Sequence, residues 1–455
     1  MNPIESVLNT DQYDRRRFGE LLQVSEKLAK VNEQGEQHIP LFSSLMGDLW
    51  AGLFKMQPRL LDEVSPDLNM NQQLMDHIMH DRHYTDFREF TRLDDFASAL
   101  GASQYSETVL HWIDQQADAR QDIQQARDQY QQGLDGASEA FADAVFSALS
   151  EQGHSLSQML TQAAEQAMET KDQVQSLLGG LQAGQGAAEL MKVPLGDKLL
   201  LAEKLSHDRK LREIAMWAGR MKTIARRKQR SKHSESMSRS GIRQGTDIEH
   251  LLPMELGSYA SPITKMDFLR RYVEGQTLQY DTQGQEELGK GPIILCLDQS
   301  GSMMSQDSVS KGFALALMSI ARKQRRDFAL IPFSSSVQET LIYKGGKSTV
   351  QDMISLATTF LDGGTYFQPP LRKAMELLNQ HRFQQADIIF VTDGEATDIT
   401  SMFLSRWKQL QKERRFSVLT LLLGVESASE VEGFSDRIVK ASSFADESIY
   451  QAFEI

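Results

Sequence analysis

Pro292-Ile293-Ile294-Leu295-Cys296-Leu297-Asp298-Gln299-Ser300-Gly301-Ser302 is an apolar run that stops at one carboxylate and two hydroxyls. A run of this length without alternation reads as a strand buried on both faces. Gly301 lets the backbone turn tightly after it, so Asp298, Ser300 and Ser302 converge as hard oxygen donors above a sheet edge. Alone, Asp-x-Ser-x-Ser is equally a turn or a helix cap, because Asp and Ser are favoured there without any metal.

Outward from this stretch the pattern alternates. Strands are expected at Ile293–Leu297, Phe328–Phe333, Glu339–Tyr343, Asp387–Thr392 and Ser417–Leu423, with helices at Ser308–Lys323, Thr349–Leu361, Pro370–Gln380 and Ser401–Arg414. Buried strands separated by helices imply a doubly wound, mostly parallel α/β sheet with its site at the strands' carboxyl ends. Two further loops supply oxygens there. Asp362-Gly363-Gly364-Thr365 presents the Thr365 hydroxyl, and Asp393-Gly394-Glu395 follows the apolar strand Ile388–Val391.

These three loops, in this order on an α/β pattern, resemble the von Willebrand factor A domain and its metal-ion-dependent adhesion site. The resemblance implies that Ser300 and Ser302 ligate an ion directly, Thr365 directly or through water, and Asp298 and Asp393 mostly through water. Mg2+ is the expected ion, with Mn2+ or Ca2+ as alternatives, because a small octahedral cation suits neutral hydroxyls plus carboxylates and keeps part of its water. Many bacterial members of the family carry Asp after the loop threonine, where this chain has Tyr366. Tyr366 therefore makes the rim more aromatic and is a candidate partner contact.

Before the α/β pattern, residues 1–219 read as a large all-α region. Leu41/Phe42, Leu45/Met46, Leu49/Trp50 and Leu53/Phe54 recur every four residues, the stripe of a core helix. Ser106 to Leu178, rich in Gln, Ala, Glu and Asp, suggests long helices and a hairpin projecting from a bundle. Glycines at 179, 180, 184 and 186 mark a break. Arg220 to Arg243 holds nine basic residues, Arg226, Arg227 and Lys228 among them, against Glu235 alone, with serines interleaved. It reads as a basic linker over 220–246 that could dock an acidic partner or RNA. Residues 247–287 form a connector with short helices at Asp247–Leu256 and Lys265–Glu274 and an edge strand at Thr277–Tyr280, and 288–455 form the A domain.

The whole order, with Asp247-Ile248-Glu249-His250-Leu251-Leu252-Pro253-Met254-Glu255-Leu256 and Phe268-Leu269-Arg270-Arg271-Tyr272-Val273-Glu274 ahead of the A domain, resembles ViaA-type proteins. That resemblance implies a non-enzymatic, chaperone-like adaptor for a MoxR-type AAA+ ATPase, with a client's Asp or Glu completing the ion. The competing expectation is a Ro-like RNA-binding protein using the helical region and residues 220–243, against which the net charge of −13 weighs. A metal-dependent hydrolase is a third.

Other motifs carry less. Tyr343-Lys344-Gly345-Gly346-Lys347-Ser348-Thr349 ends like a phosphate loop but has Leu341 where the first glycine belongs, so it reads as a turn before a helix starting at Ser348 or Thr349. His77, His80 and His83 cannot face one ion from one straight helix. No run approaches the roughly 20 apolar residues of a membrane span. The single cysteine, Cys296, and the absence of an apolar signal core point to the cytoplasm.

Overall fold

The computed structural model describes residues 6–134, 136–179, 190–236, 239–246, 248, 251–282, 291–394, 396, 399–425 and 427–454. The described residues divide into two compact units, one within 6–179, 190–216 and 349–358, the other within 217–348 and 359–454.

The first unit is helical. Its helices are α1 (Gln12–Val24), α2 (Glu26–His38), α3 (Phe42–Phe54), α4 (Asn69–His80), α5 (Arg82–Thr91), α6 (Asp95–Ala119), α7 (Gln121–Gln131), α8 (Ala137–Leu178) and α9 (Leu195–His207), joined by the start of the helix Arg209–Ser236 and by the short helix Val350–Thr358. Asp11, Ser25 and Asp94 accept from backbone N–H groups in the first turns of α1, α2 and α6, satisfying donors a helix start leaves free. The expected stripe of α3 is buried through Phe42, Leu45, Met46, Leu49, Trp50 and Leu53. Each such side chain contributes on the order of 1.5–3 kcal/mol.

The Gln- and Ala-rich stretch does not project as expected. Helix α8 packs against α4, α5, α6, α7 and α9, with Phe141, Val145, Leu156 and Val174 buried. Small alanines on its inner face allow close approach, and that apolar spacing is hidden in sequence by the surrounding glutamines. The His-x-x-His-x-x-His motif is divided between α4 and α5. His77 Nε2 lies 3.1 Å from the Gly153 carbonyl, beside the kink at Gln152 in α8, and His80 Nδ1 lies 3.1 Å from the Asp76 carboxylate. No cluster of three or more His, Cys, Asp or Glu residues able to hold a metal occurs among the described residues.

The expected basic linker is also different. Arg209–Ser236 is one helix, α10, followed by a strand, β1 (Arg239–Gly245). Leu211, Ile214, Ala215, Ala218, Met221 and Ala225 are buried at helical spacing, so periodicity outweighs charge density here. Arg226 is half-buried and Arg227 exposed, while Lys228 reaches Glu454 at 3.6 Å. Strand β1 pairs antiparallel with β2 (Thr277–Thr282). The first connector helix, α11, runs over Pro253–Ala260 instead of 247–256, because Leu251 and Leu252 are extended against Gln279 and Leu278, and Pro253 suits a helix start. Helix α12 is Lys265–Val273. Asp247, Glu249, His250, Glu395 and glycines 180, 184 and 186 lie outside the described residues.

The α/β part has six strands: β3 (Ile293–Asp298), β4 (Phe328–Phe333), β5 (Leu341–Tyr343), β6 (Asp387–Thr392), β7 (Ser417–Leu423) and β8 (Arg437–Ala441). Their order is β5-β4-β3-β6-β7-β8, with every pair parallel except β4 with β5. Helices α13 (Asp307–Gln324), α14 (Val350–Thr358), α15 (Gln368–Leu378) and α16 (Ser401–Arg414) fall between strands. The expected mostly parallel, doubly wound sheet is present; β8 was not foreseen. Chain order proceeds from β3 outward through β4 and β5, then resumes on the other side with β6. The two central strands β3 and β6 therefore flank the switch point, where a crevice opens at their carboxyl ends.

The phosphate-loop decoy is a turn. Gly345 and Gly346 have φ of 58° and 67°, and a β-carbon on Gly346 would lie 2.2 Å from the Arg322 backbone nitrogen. Thr349 and Asp352 then cap each other at the start of α14.

Candidate metal centre

Asp298 ends β3 with 1% exposure. Its Oδ2 accepts from the Thr392 hydroxyl at 2.6 Å and its Oδ1 from the Ser300 N–H at 2.9 Å. Thr392 is the last residue of β6, so the parallel pairing of β3 with β6 sets this contact. Burial raises the Asp298 pKa, the Thr392 and Ser300 hydrogen bonds oppose the rise, and the Asp393 charge adds to it.

Ser300 is buried, Ser302 exposed, and their hydroxyl oxygens are 3.1 Å apart. The Gly301 N–H between them donates to the Gly363 carbonyl at 2.9 Å. A β-carbon at Gly301 would sit 3.0 Å from Asp362 Oδ1, so glycine permits the first and second loops to meet. In the second loop Asp362 and Gly363 take φ of 56° and 93°. Ser335 Oγ accepts from the Gly364 N–H at 3.0 Å, and the Tyr366 N–H donates to the Ser334 carbonyl at 3.0 Å. Beneath them Phe367 packs edge-on against Phe390 with centroids 5.2 Å apart. Thr365, half-buried, and Tyr366, 45% exposed, are thus held on a rigid aromatic base.

Asp393 is half-buried in the third loop, and its Oδ1 is enclosed without a hydrogen-bond partner. An orphaned carboxylate oxygen beside a second buried carboxylate is costly unless a cation offsets it. Two cis ligands of an octahedral ion with bonds of about 2.1 Å stand about 3.0 Å apart, close to the Ser300–Ser302 separation. The donors present fit a hard divalent cation. Cys296 is wholly buried with its thiol pKa pushed up by that burial, which leaves it out of the chemistry.

Thr392, Ser334, Ser335 and Gln299 were missed in sequence. Gln299 is buried with Oε1 unpartnered. The only signals were the serine run 334–336 after β4 and a threonine immediately before Asp393. Arg226, Arg227 and Lys228 lie on α10 and belong to none of the three loops.

Residues 293–395 match the family model of the von Willebrand factor type A domain. Over 99% of both chains the protein is 25% identical to uncharacterized protein MJ0811 of Methanocaldococcus jannaschii. It is 30% identical to uncharacterized protein MJ0077 of the same organism, over 57% of this chain and 65% of that one. Among solved structures, proximal thread matrix protein 1 of the mussel byssus, described with a zinc-occupied MIDAS motif, is 16% identical with a TM-score of 0.28, covering 36% of this chain and 47% of that one. A von Willebrand factor type A protein from Catenulispora acidiphila is 15% identical with a TM-score of 0.31, covering 39% and 42%. With the matched segment running from the start of β3 past Asp393 and the mostly parallel six-stranded sheet around it, the C-terminal part of this chain is a von Willebrand factor type A domain behind a large helical region.

Proposed function

We propose that the protein is a non-enzymatic, Mg2+-dependent interaction protein that links a MoxR-type AAA+ ATPase to client proteins, as the ViaA-type resemblance implies. The observation that carries the metal-dependent part is the enclosed, unpartnered Asp393 Oδ1 beside the buried Asp298 and the paired hydroxyls of Ser300 and Ser302. Ser300, Ser302 and Thr365 would ligate the ion, while Asp298 and Asp393 would hold its water and balance its charge. When bound, Mg2+ supplies an open coordination position that a partner's carboxylate can fill. Asp298 is itself kept in place by Thr392 and the Ser300 amide, so the donors are ordered before any ion arrives.

The same hydrogen bonds argue for binding over catalysis. Ser300 and Ser302 face each other, and among the described residues no histidine is hydrogen-bonded to either, as the base of a serine–histidine triad would be. No described helix is long and apolar enough to cross a membrane.

The test is capture of the cognate ATPase by the full chain in Mg2+ and in chelator. Binding should require the ion and be lost in Asp298→Ala and in Ser300→Ala/Ser302→Ala with the fold intact. Capture that persists unchanged in chelator sinks the reading.

A further inference from the structure

Arg372 on α15 and Arg406 on α16 are exposed, and among the described residues neither makes a hydrogen bond or an ion pair. Both line one trough of about 500 Å3 between these helices, together with Met375, Phe403 and Met402, the last 82% exposed. The carboxylate in its lining, Glu376, is held by Lys373 at 2.8 Å. The trough thus combines an apolar patch of Met375, Met402 and Phe403 with two uncompensated guanidiniums, groups that pair carboxylates in a fixed fork.

Its position ties it to the metal centre. One end is formed by Gln368, the first residue of α15, and Thr400, the N-cap of α16, whose side chains are 3.3 Å apart. Gln368 is separated from Tyr366 by Phe367 alone. Both helices direct their partially positive N-termini to that end, and Arg372 lies about 6 Å further along α15 at 1.5 Å per residue.

We propose that this trough takes the continuation of the partner segment that gives its carboxylate to the metal: an extended stretch of protein with acidic side chains for Arg372 and Arg406 and an apolar one for Met375 and Phe403. The proposal rests on the metal-dependent docking above and adds the sequence character that the partner must have. A phosphate backbone fits less well, because it needs a continuous basic track and free aromatic faces, whereas Phe403 already stacks on Trp407.

The test uses the full chain and a short fluorescein-labelled peptide of alternating Glu and Leu, with its Gln-for-Glu counterpart and a poly-uridine oligonucleotide as alternative probes. Arg372→Glu/Arg406→Glu should weaken acidic-peptide binding roughly tenfold or more while leaving Mg2+ affinity by calorimetry and the melting temperature unchanged. Both residues are exposed and unpaired, so the variant is expected to fold. Equal binding of the acidic peptide by the variant and the unmodified chain overturns the proposal, as does equal binding of the Gln peptide. Tighter binding of the oligonucleotide than the peptide, lost in the variant, also overturns it. The metal reading fails separately: arginine-dependent peptide binding that chelator leaves unchanged supports the trough and removes the ion. Chelator-sensitive binding indifferent to the arginines removes the trough and keeps the ion.

Discussion

Gly312 of α13 lies against Trp217 of α10 so closely that a β-carbon at Gly312 would stand 2.7 Å from the Trp217 Cβ and 2.9 Å from the Ala218 backbone nitrogen. The absent side chain allows the second part of α10 to lie on a helix of the A domain. Gln229 and Lys228 extend the contact to the Phe453 carbonyl and Glu454.

Gly312→Ala should therefore destabilise the A-domain unit, even though alanine favours a helix by about 1 kcal/mol. The obstructing atoms are backbone and Cβ, so the overpacking penalty of roughly 1–3 kcal/mol applies. Gly19→Ala on α1, where nothing lies within 4 Å of the new carbon, is the control and should be neutral or stabilising. Thermal unfolding of the two variants measures the difference.

Mg2+ binding to the folded state alone should stabilise the A domain by about 2.7 kcal/mol at a hundred times Kd and so raise its melting temperature. Ser300→Ala/Ser302→Ala should abolish the rise. Thr392→Val, which removes the donor to Asp298 Oδ2, should lower Mg2+ affinity roughly 10–100-fold with the fold retained, as for other residues that orient ligands. Calorimetric titration reads both.

Asp48 in α3 is 1% exposed and accepts from the Val7 N–H at 3.1 Å and the Ser6 hydroxyl. Burial raises its pKa to about 6, although Ser6 and the backbone amides of Val7 and Leu8 oppose the rise. The folded state then holds the proton more tightly than the unfolded chain, so stability should fall as pH rises from about 4 to about 6 and stay lowered above that. Two units amount to roughly 3 kcal/mol. Asp48→Asn should flatten this dependence and be more stable than the parent at pH 8; denaturant unfolding across pH checks it.

Glu255 of α11 is buried and binds Arg271 of α12 through two hydrogen bonds of 2.8 and 2.9 Å, while also accepting from the Leu278 N–H at 3.1 Å. Burial opposes its ionisation, but the Arg271 and Leu278 hydrogen bonds hold its pKa below the usual glutamate value. Its contribution is present above the unfolded pKa and lost as pH falls through the lower, folded one. Arg271→Met strands the carboxylate and should cost roughly 3–5 kcal/mol locally, seen as faster amide exchange over 253–282. Glu255→Gln/Arg271→Met should recover much of it.

The strands β3, β4, β6 and β7 were legible because a buried parallel strand is an unbroken apolar run, visible without knowledge of its neighbours. Strand β8 was not. Its Arg437 and Lys440 are exposed, and of its other residues only Val439 and Ala441 are buried. Strand β1, Arg-Ser-Gly-Ile-Arg-Gln-Gly, has little strand propensity and exists through its pairing with β2. In α10 the density of positive charge obscured an apolar period that continues to Ala225.

By itself the sequence determined the α/β alternation, the large helical region and the candidate donors Asp298, Ser300, Ser302, Thr365 and Asp393, since each lies in a short contiguous motif whose backbone is locally specified. Only the tertiary structure decided that Thr392 orients Asp298, that Ser334 and Ser335 hold the second loop, and that Arg372 and Arg406 share one trough. These pairings join strands and helices distant in sequence. Sheet register and helix packing bring them together, and neither is encoded in any single window of the chain.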